Sequence, residues 1–297
     1  MHHKKATIIK TKAHLPEISV YKKFLENLNF NVSIHDNKNY RKKNIDLIWF
    51  FAGIQKSFIN AKMIIVDYRS RSTGYFYLLK DFIKIFTNRS NLNIFCHKDL
   101  MFYLSKYILR KKTYYLPMGS FCKYKVLKKK YDFIHIGAVS KLKTNSDFYE
   151  LINDLSKKYK IILIGKIDQA NIKKLKRIKK NLKIINKNLP INILSKYINQ
   201  SKFGISWYSY DNYLKGQIST KILDYDVCKL PILCNDSHVN NYTFKHYNIK
   251  NFFYYKIKSK INLNFSYKKS KKNLSFNDIF KRSELYKDLC KLPLIKK

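Results

Sequence analysis

Residues 216–236 read Gly216-Gln217-Ile218-Ser219-Thr220-Lys221-Ile222-Leu223-Asp224-Tyr225-Asp226-Val227-Cys228-Lys229-Leu230-Pro231-Ile232-Leu233-Cys234-Asn235-Asp236. The order is a polar turn, a short helix, a Leu-Pro break and a buried strand. Ser219 or Thr220 can cap the helix, leaving backbone N–H groups at its start without helical partners. That end carries partial positive charge and suits an anion such as a phosphate. Lys221 sits in the first turn, and Asp224 lies three residues on along the same face. A cation, amides and a carboxylate on one face can hold a diphosphate and ribose hydroxyls. The same residues also suit an ordinary solvated helix face beside a core strand, so the rest of the chain has to decide.

Outward from this stretch the same alternation continues. After it, Phe252–Tyr255 is predicted as a last strand and Asp278–Leu292 as a terminal helix. Before it, strands are predicted at Asp132–Ile136, Ile161–Ile164, Leu182–Ile185 and Phe203–Trp207, and helices at Ser146–Lys158, Asn171–Lys180 and Ile191–Gln200. An earlier half repeats the rhythm. Its strands are Ala6–Ile9, Asn31–His35, Asp46–Phe51, Met63–Val66 and Asn93–His97, and its helices Ile18–Leu28, Tyr77–Phe86 and Lys98–Lys111. The run Leu47-Ile48-Trp49-Phe50-Phe51 reads as a strand buried on both faces, as in a parallel sheet. Strands interleaved with helices imply an α/β fold of two Rossmann-like domains facing a central cleft. The expected division is an N-terminal domain over 1–122, a basic linker over 123–131 and a C-terminal domain over 132–275. A terminal helix follows within 276–297, with the option that it crosses back to the N-terminal domain. Ligands in such folds sit at the carboxyl ends of the strands, where Asp67, His97, Gly119, Gly137, Gly165 and the 208–221 region fall.

The chain has 297 residues, 45% of them hydrophobic, enough for one large or two ordinary domains. It has no apolar run of 18 residues and no signal-peptide h-region after Met1. Its five cysteines form no CxxC pair, which fits reduced, buried thiols in a cytoplasmic protein and offers no metal site. The formal net charge of +42 would attract nucleic acid, anionic lipid or phosphorylated small molecules. Against nucleic acid stands the composition. Only seven of the cations are Arg, and Lys abounds beside Asn, Ile, Tyr and Phe, the residues of A/T-rich codons. No specific nucleic-acid partner is expected.

The seven glycines stand at 53, 74, 119, 137, 165, 204 and 216, so G-x-G-x-x-G cannot occur. The P-loop, G-x-S-x-G, H-E-x-x-H and RNA-recognition signatures are also missing. A nucleotide on this fold must be held by amides, Lys and an acidic residue instead.

In this setting the second half resembles the nucleotide-sugar-binding domain of GT-B glycosyltransferases. It is most like the large retaining family (family 4-like, group 1) that includes many bacterial polysaccharide and lipopolysaccharide enzymes. The matching runs are Phe133-Ile134-His135-Ile136-Gly137-Ala138-Val139-Ser140-Lys141-Leu142-Lys143, Ile161-Ile162-Leu163-Ile164-Gly165, Leu189-Pro190, Ser219-Thr220-Lys221-Ile222-Leu223-Asp224-Tyr225 and Leu230-Pro231-Ile232-Leu233. Order and spacing hold over about 105 residues. The first half is similar in kind through Ile65-Val66-Asp67-Tyr68-Arg69-Ser70-Arg71-Ser72-Thr73-Gly74 and Leu116-Pro117-Met118-Gly119.

The resemblance implies a hexosyltransferase that uses a nucleoside-diphosphate-sugar donor and no metal or other cofactor. Gly137 and Gly165 would border the donor, with Gly137 letting the backbone approach the diphosphate. Lys143 takes the place of the family's lysine near the phosphates, with Lys141 as its neighbour. Ser219 and Thr220 would meet the diphosphate, Lys221 would offset charge on the leaving group, and Asp224 would hold the ribose. The chain departs from the family at Gly216, where a second acid is expected, and at Ala138, where an arginine often stands. Asp211 is the candidate substitute for the missing acid; the alternative is that it only starts a turn.

On the acceptor side, Asp67 can hold or deprotonate a hydroxyl, with Arg69, His14 and His97 as further contacts. The alternative for Asp67 is an Asx-type turn or an internal pair with Arg69 or Arg71. Should configuration be retained, the leaving phosphate itself can take the acceptor proton; should it be inverted, Asp67 is the first choice of base. The expected acceptor is a glycan or lipid-linked molecule of surface polysaccharide synthesis. Lys and aromatic residues over Phe76–Phe86 and Lys98–Tyr115 suit peripheral contact with an anionic membrane, at the inner face of the cytoplasmic membrane. Ordinary packed helices with Lys outside are the other reading of those segments. Rival functions are a basic nucleic-acid-binding protein and a catalytically inactive relative of the glycosyltransferases.

Overall fold

The computed structural model describes residues 4–10, 15–36, 45–51, 61–69, 72, 76–87, 89–96, 98–105, 107–108, 111–140, 146–178, 181–209, 217–255 and 274–291. The chain forms two compact units, one of Met1–Met118 with Phe276–Lys297 and one of Gly119–Ser275.

The first unit contains β1 (Lys4–Lys10), α1 (Glu17–Asn27), β2 (Phe30–Asp36), β3 (Ile45–Phe51), β4 (Ala61–Tyr68), α2 (Tyr77–Thr87), β5 (Leu92–Phe95), α3 (Lys98–Ser105) and β6 (Lys112–Tyr115). The second contains β7 (Tyr131–Ile136), α4 (Ser146–Ser156), β8 (Ile161–Ile164), α5 (Gln169–Lys176), β9 (Leu182–Ile185), α6 (Ile191–Asn199), β10 (Ser201–Ser206), α7 (Thr220–Val227), β11 (Ile232–Cys234), α8 (His238–Tyr247) and β12 (Phe252–Tyr254). Two short helices, α9 (Phe276–Arg282) and α10 (Glu284–Lys291), return the chain to the first unit.

Both sheets are parallel throughout, in the orders β2-β1-β3-β4-β5-β6 and β12-β11-β10-β7-β8-β9. This is the α/β, two-domain Rossmann-like class expected from the alternation. Strand order reverses between β1 and β3 in the first sheet and between β7 and β10 in the second. A reversal sends the flanking crossovers to opposite faces and opens a crevice at the carboxyl ends of those strands.

The double burial expected for β3 is present: six of its seven residues are buried, with Asp46 alone at intermediate exposure. Trp49 stacks on Tyr21 of α1 with ring centroids 4.0 Å apart, and Phe280 of α9 meets both rings edge-on. The terminal helices thus supply aromatic rings to the core of the first unit. Burial of each such ring contributes on the order of 1.5–3 kcal/mol.

Several elements differ from expectation. The helix expected over Lys98–Lys111 ends at Ser105, because Lys112–Tyr115 pairs with β5 as an edge strand. A four-residue strand that opens on Lys112, just after Lys111, carries too little periodicity to be read in the sequence. The single terminal helix expected over Asp278–Leu292 is broken at Ser283, whose hydroxyl accepts from Tyr286 N (3.1 Å) and starts α10. Segment 123–130, expected as a linker, lacks helix and strand and lies within the second unit, which begins at Gly119. It is pinned to α6 by reciprocal bonds of Lys123 with Ser195 Oγ, and by Lys125 N to Asn199 Oδ1 (3.0 Å). Helix α8 had no counterpart in the sequence reading, and it proves to support the candidate site.

Candidate functional site

In the second unit Gly137 follows β7 and Gly165 follows β8, both at the carboxyl edge. Their φ angles, +107° and +151°, are ones that side chains rarely adopt. The two turns touch. A Cβ on Gly165 would stand 2.0 Å from the carbonyl oxygen of Gly137, whereas no described atom lies within 4 Å of a Cβ placed on Gly137. Backbone bonds lock the turns together, with Gly137 N donating to Ile164 O (2.9 Å) and Val139 N to Lys166 O (3.0 Å). Gly165 therefore serves packing, whereas among the described residues nothing crowds Gly137. Gly165→Ala is expected to cost about 2–4 kcal/mol from the clash and backbone strain together. A denaturant titration checks this; an unchanged midpoint would mean the two turns are not so tightly coupled.

Helix α7 docks beside the Gly137 turn through Tyr225. Its phenol accepts from Ile136 N (3.0 Å), lies 3.2 Å from Ile134 O and 3.3 Å from Ile205 O, and packs its ring on Gly204. A single side chain thus ties α7 to both strands at the point where strand order reverses. Four residues of helix bring the chain back from Tyr225 to Lys221, so the first turn of α7 is carried to the same edge.

At that first turn the expected residues divide. Ser219 stands at the N-cap position but makes no side-chain capping bond. It is buried: its hydroxyl accepts from Tyr208 Oη (3.0 Å) and its amide donates to Thr243 Oγ1 of α8 (2.9 Å). The Ser219 hydroxyl, expected to meet a diphosphate, is thus held inside the protein as the acceptor of the Tyr208 phenol. Thr220 is exposed, and of the first-turn amides that of Ile222 donates back to the Ser219 carbonyl (3.1 Å). The Lys221 ammonium lies 4.3 Å from the centre of the Tyr208 ring. Asp224 is half-buried, and its Oδ1 accepts from Ser120 Oγ at 2.6 Å. Ser120 is itself fixed, donating its amide to Leu274 O (2.6 Å) and accepting from Cys122 N (3.0 Å).

Tyr208, Ser120, Asn235, Asn240 and Thr243 are residues that sequence reasoning passed over. Asn240 Nδ2 donates to Ser206 O (3.0 Å) and Asn235 O (2.9 Å), while Asn235 binds both the amide and the carbonyl of Tyr208 (3.2 and 2.6 Å). This buried amide network holds the exit of β10, and so the position of Tyr208 under Lys221. Burial pushes the Tyr208 phenol up to about 12, so it stays a neutral donor to Ser219. The signal that would have found Tyr208 is its place just past β10, the strand at the order reversal.

In the first unit Asp67 and Arg69 do come together, but facing inward. Arg69 Nε lies 2.9 Å from Asp67 Oδ1, and Arg69 Nη2 donates to Asp67 Oδ2 (2.9 Å) and to Tyr21 Oη. Tyr21 Oη donates to Asp67 Oδ2 at 3.0 Å, and the guanidinium sits 5.4 Å over the Phe276 ring. Asp67 is fully buried. Burial pushes its carboxyl up, against the pull of the Arg69 charge and the Tyr21 hydrogen bond. Burial also works against the Arg69 charge, but the negative groups around it, Asp67 first, together outweigh burial, so the guanidinium stays protonated. Of the two readings open for Asp67, the internal pair with Arg69 is the one present, with the Asp67 carboxylate fully buried and the Arg69 side chain 9% exposed.

Lys141, Lys143, Asp211, Gly216, His14 and His97 lie outside the described residues. Among the described residues no three His, Cys, Asp or Glu side chains gather as a metal site, and no helix is long and apolar enough to cross a membrane. A groove of about 680 Å³ runs between 121–127 and α6, but none of the candidate residues lines it.

No family model and no curated protein match the sequence. Solved structures do resemble the fold. α,α-Trehalose 6-phosphate synthase from Burkholderia multivorans aligns over 99% of this chain and 92% of its own, with TM-score 0.54 and 9% identity. HepE from Anabaena, solved with UDP and glucose, aligns over 81% and 83%, with TM-score 0.53 and 10% identity. AviGT4, a glycosyltransferase involved in avilamycin A biosynthesis, aligns over 86% and 85%, with TM-score 0.53 and 8% identity. Identities this low carry the architecture and leave the chemistry to the residues, so the conclusion they support is that the chain has the two-domain α/β architecture of the GT-B glycosyltransferases.

Proposed function

We propose that this protein is a glycosyltransferase that takes a sugar, of hexose type, from a nucleoside-diphosphate sugar. The donor binds at the carboxyl edge of the second sheet. One observation carries the reading: the Tyr225 phenol accepts from the amide of Ile136, the residue before Gly137, which docks α7, the helix of Thr220, Lys221 and Asp224, at the end of β7. The diphosphate meets the first-turn amides and the Thr220 hydroxyl. Lys221 offsets the negative charge that grows on the leaving diphosphate as the glycosidic bond breaks, a task that needs no metal or bound cofactor. Asp224, its carboxylate aimed by Ser120, accepts from the ribose hydroxyls. Gly165 shapes the turn without touching the donor.

Asp67 is dropped as the base. With that carboxylate buried, the reading that fits is one in which the leaving phosphate itself takes the proton of the acceptor hydroxyl, as in transfer with retention. The acceptor fitting this reading is a glycan or lipid-linked glycan of a surface polysaccharide.

The test is a thermal-shift screen of the full chain with UDP, GDP and ADP. One of them is expected to raise the melting temperature, and at a hundred times its Kd the stabilisation is about 2.7 kcal/mol. No shift with any of the three, together with Lys221→Ala indistinguishable from wild type, would overturn the proposal.

A further inference from the structure

Helix α2 is apolar on two sides. One side, with Asp81 and Ile85, is buried in the first unit. On the opposite side Phe76 (69% exposed), Leu79, Phe82 and Phe86 (69%) project outward. At about 100° per residue these four positions span an arc of roughly 120°, a single face. Phe82 and Phe86 pack at a tilt with centroids 4.3 Å apart, and Phe82 meets Tyr107 beyond α3 at 6.3 Å, so the patch runs on past the helix. Phe102 of α3 adds a ring that is 68% exposed. An apolar surface of this extent usually has a partner.

The charge around the patch selects the partner. Between residues 76 and 115 the sequence has eight Lys or Arg and two acids, Asp81 and Asp99. Asp81 is buried, accepting from Ser72 N (2.8 Å). Exposed cations flank the rings at Lys80, Arg89, Lys98 and Lys111. A second copy would bring one net-positive face against another, which opposes self-association. Aromatic rings on one helix face with lysines at its margin instead match a bilayer interface, where the rings enter the acyl boundary and the ammonium groups stay among anionic headgroups.

We propose that the face formed by α2 and α3 rests on an anionic lipid bilayer, holding the first unit at the membrane surface. Phe76, Phe82 and Phe86 insert, and the flanking Lys and Arg contact the headgroups. The inference does not depend on the donor site, because vesicle binding needs no nucleotide and the two proposals fail separately.

Co-sedimentation of the full chain with phosphatidylcholine vesicles, with and without phosphatidylglycerol, tests it. The chain is expected to bind the mixed vesicles, and Phe82→Ser/Phe86→Ser to bind at least about tenfold less. Phe86→Trp preserves an aromatic ring should the double variant fold poorly. Both native tryptophans, Trp49 and Trp207, are buried, so the new indole reports the patch, and its emission should move to the blue on the same vesicles. Equal binding by the double variant would show non-specific adsorption of a +42 chain and overturn the proposal. An emission from the Phe86→Trp variant that does not shift on vesicles would do the same. So would concentration-dependent dimerisation lost in the double variant without vesicle binding, which would assign the face to a second copy.

Discussion

Replacing Lys221 with alanine is expected to lower kcat/KM for the donor identified by thermal shift about a hundredfold, or about 2.7 kcal/mol of transition-state stabilisation. A melting curve of the variant checks that it is folded. Lys221 lies half-buried at the start of α7 with its ammonium 4.3 Å from the Tyr208 ring, a contact worth about 0.5–1 kcal/mol at a partly exposed site. The split between constants is informative. Charge on a leaving diphosphate grows as the glycosidic bond breaks, so a lysine acting there lowers kcat; one that merely holds the ground-state diphosphate raises KM. Lys221→Arg, which keeps the charge, should retain more activity than the alanine variant. Hydrolysis of the nucleotide sugar, followed with and without an acceptor, supplies the rates. Equal kcat in wild type and Lys221→Ala would remove Lys221 from the chemistry and leave it a surface residue of α7.

The second large effect concerns stability. Arg69→Met leaves the Asp67 carboxyl buried with the Tyr21 hydroxyl and without its counter-charge, which typically costs about 3–5 kcal/mol. The loss should depend on pH in a definite direction. Removing the guanidinium takes away the main influence opposing burial, so the folded-state pKa of Asp67, already raised, goes higher. A group whose folded pKa lies above its unfolded value stabilises the fold below the unfolded pKa of about 4, and that contribution is lost as pH rises through the folded pKa. The melting temperature of Arg69→Met should therefore approach that of wild type on acidification and fall away toward neutral pH. Asp67→Asn/Arg69→Met should recover much of the loss, because no buried charge remains. A pH-independent difference, or none, would show that the pair is not the linchpin its geometry suggests.

The same two residues show where sequence reading stops. Asp67 and Arg69 were legible as a polar cluster after a buried strand, with an acceptor contact and an internal pair both open. The choice rests on Tyr21 of α1 and Phe276 of α9, which close over the pair from 46 and 209 residues away in the chain. Nothing local to 67–69 encodes that lid. Ser219 repeats the lesson. Its type and position suit a helix cap facing a ligand, but Thr243 and Tyr208 take its amide and hydroxyl, and α8, which brings Thr243, has no strong apolar periodicity to announce it.

The alternation of apolar strands with amphipathic helices was enough to establish two parallel α/β domains, because both periods are local properties of the chain. The Gly137 and Gly165 turns were legible for the same reason: a glycine after a buried strand marks a conformation that other residues avoid. Which polar side chains face a ligand was not local. It depends on the order of strands within each sheet, on a tyrosine of α7 reaching β7, and on which hydroxyls the neighbouring helices use up. Those are long-range contacts set by packing, so the stretch 216–236 carries a helix start in its sequence, and the packing around it decides that Ser219 is buried against Tyr208 and Thr243 while Thr220 is exposed.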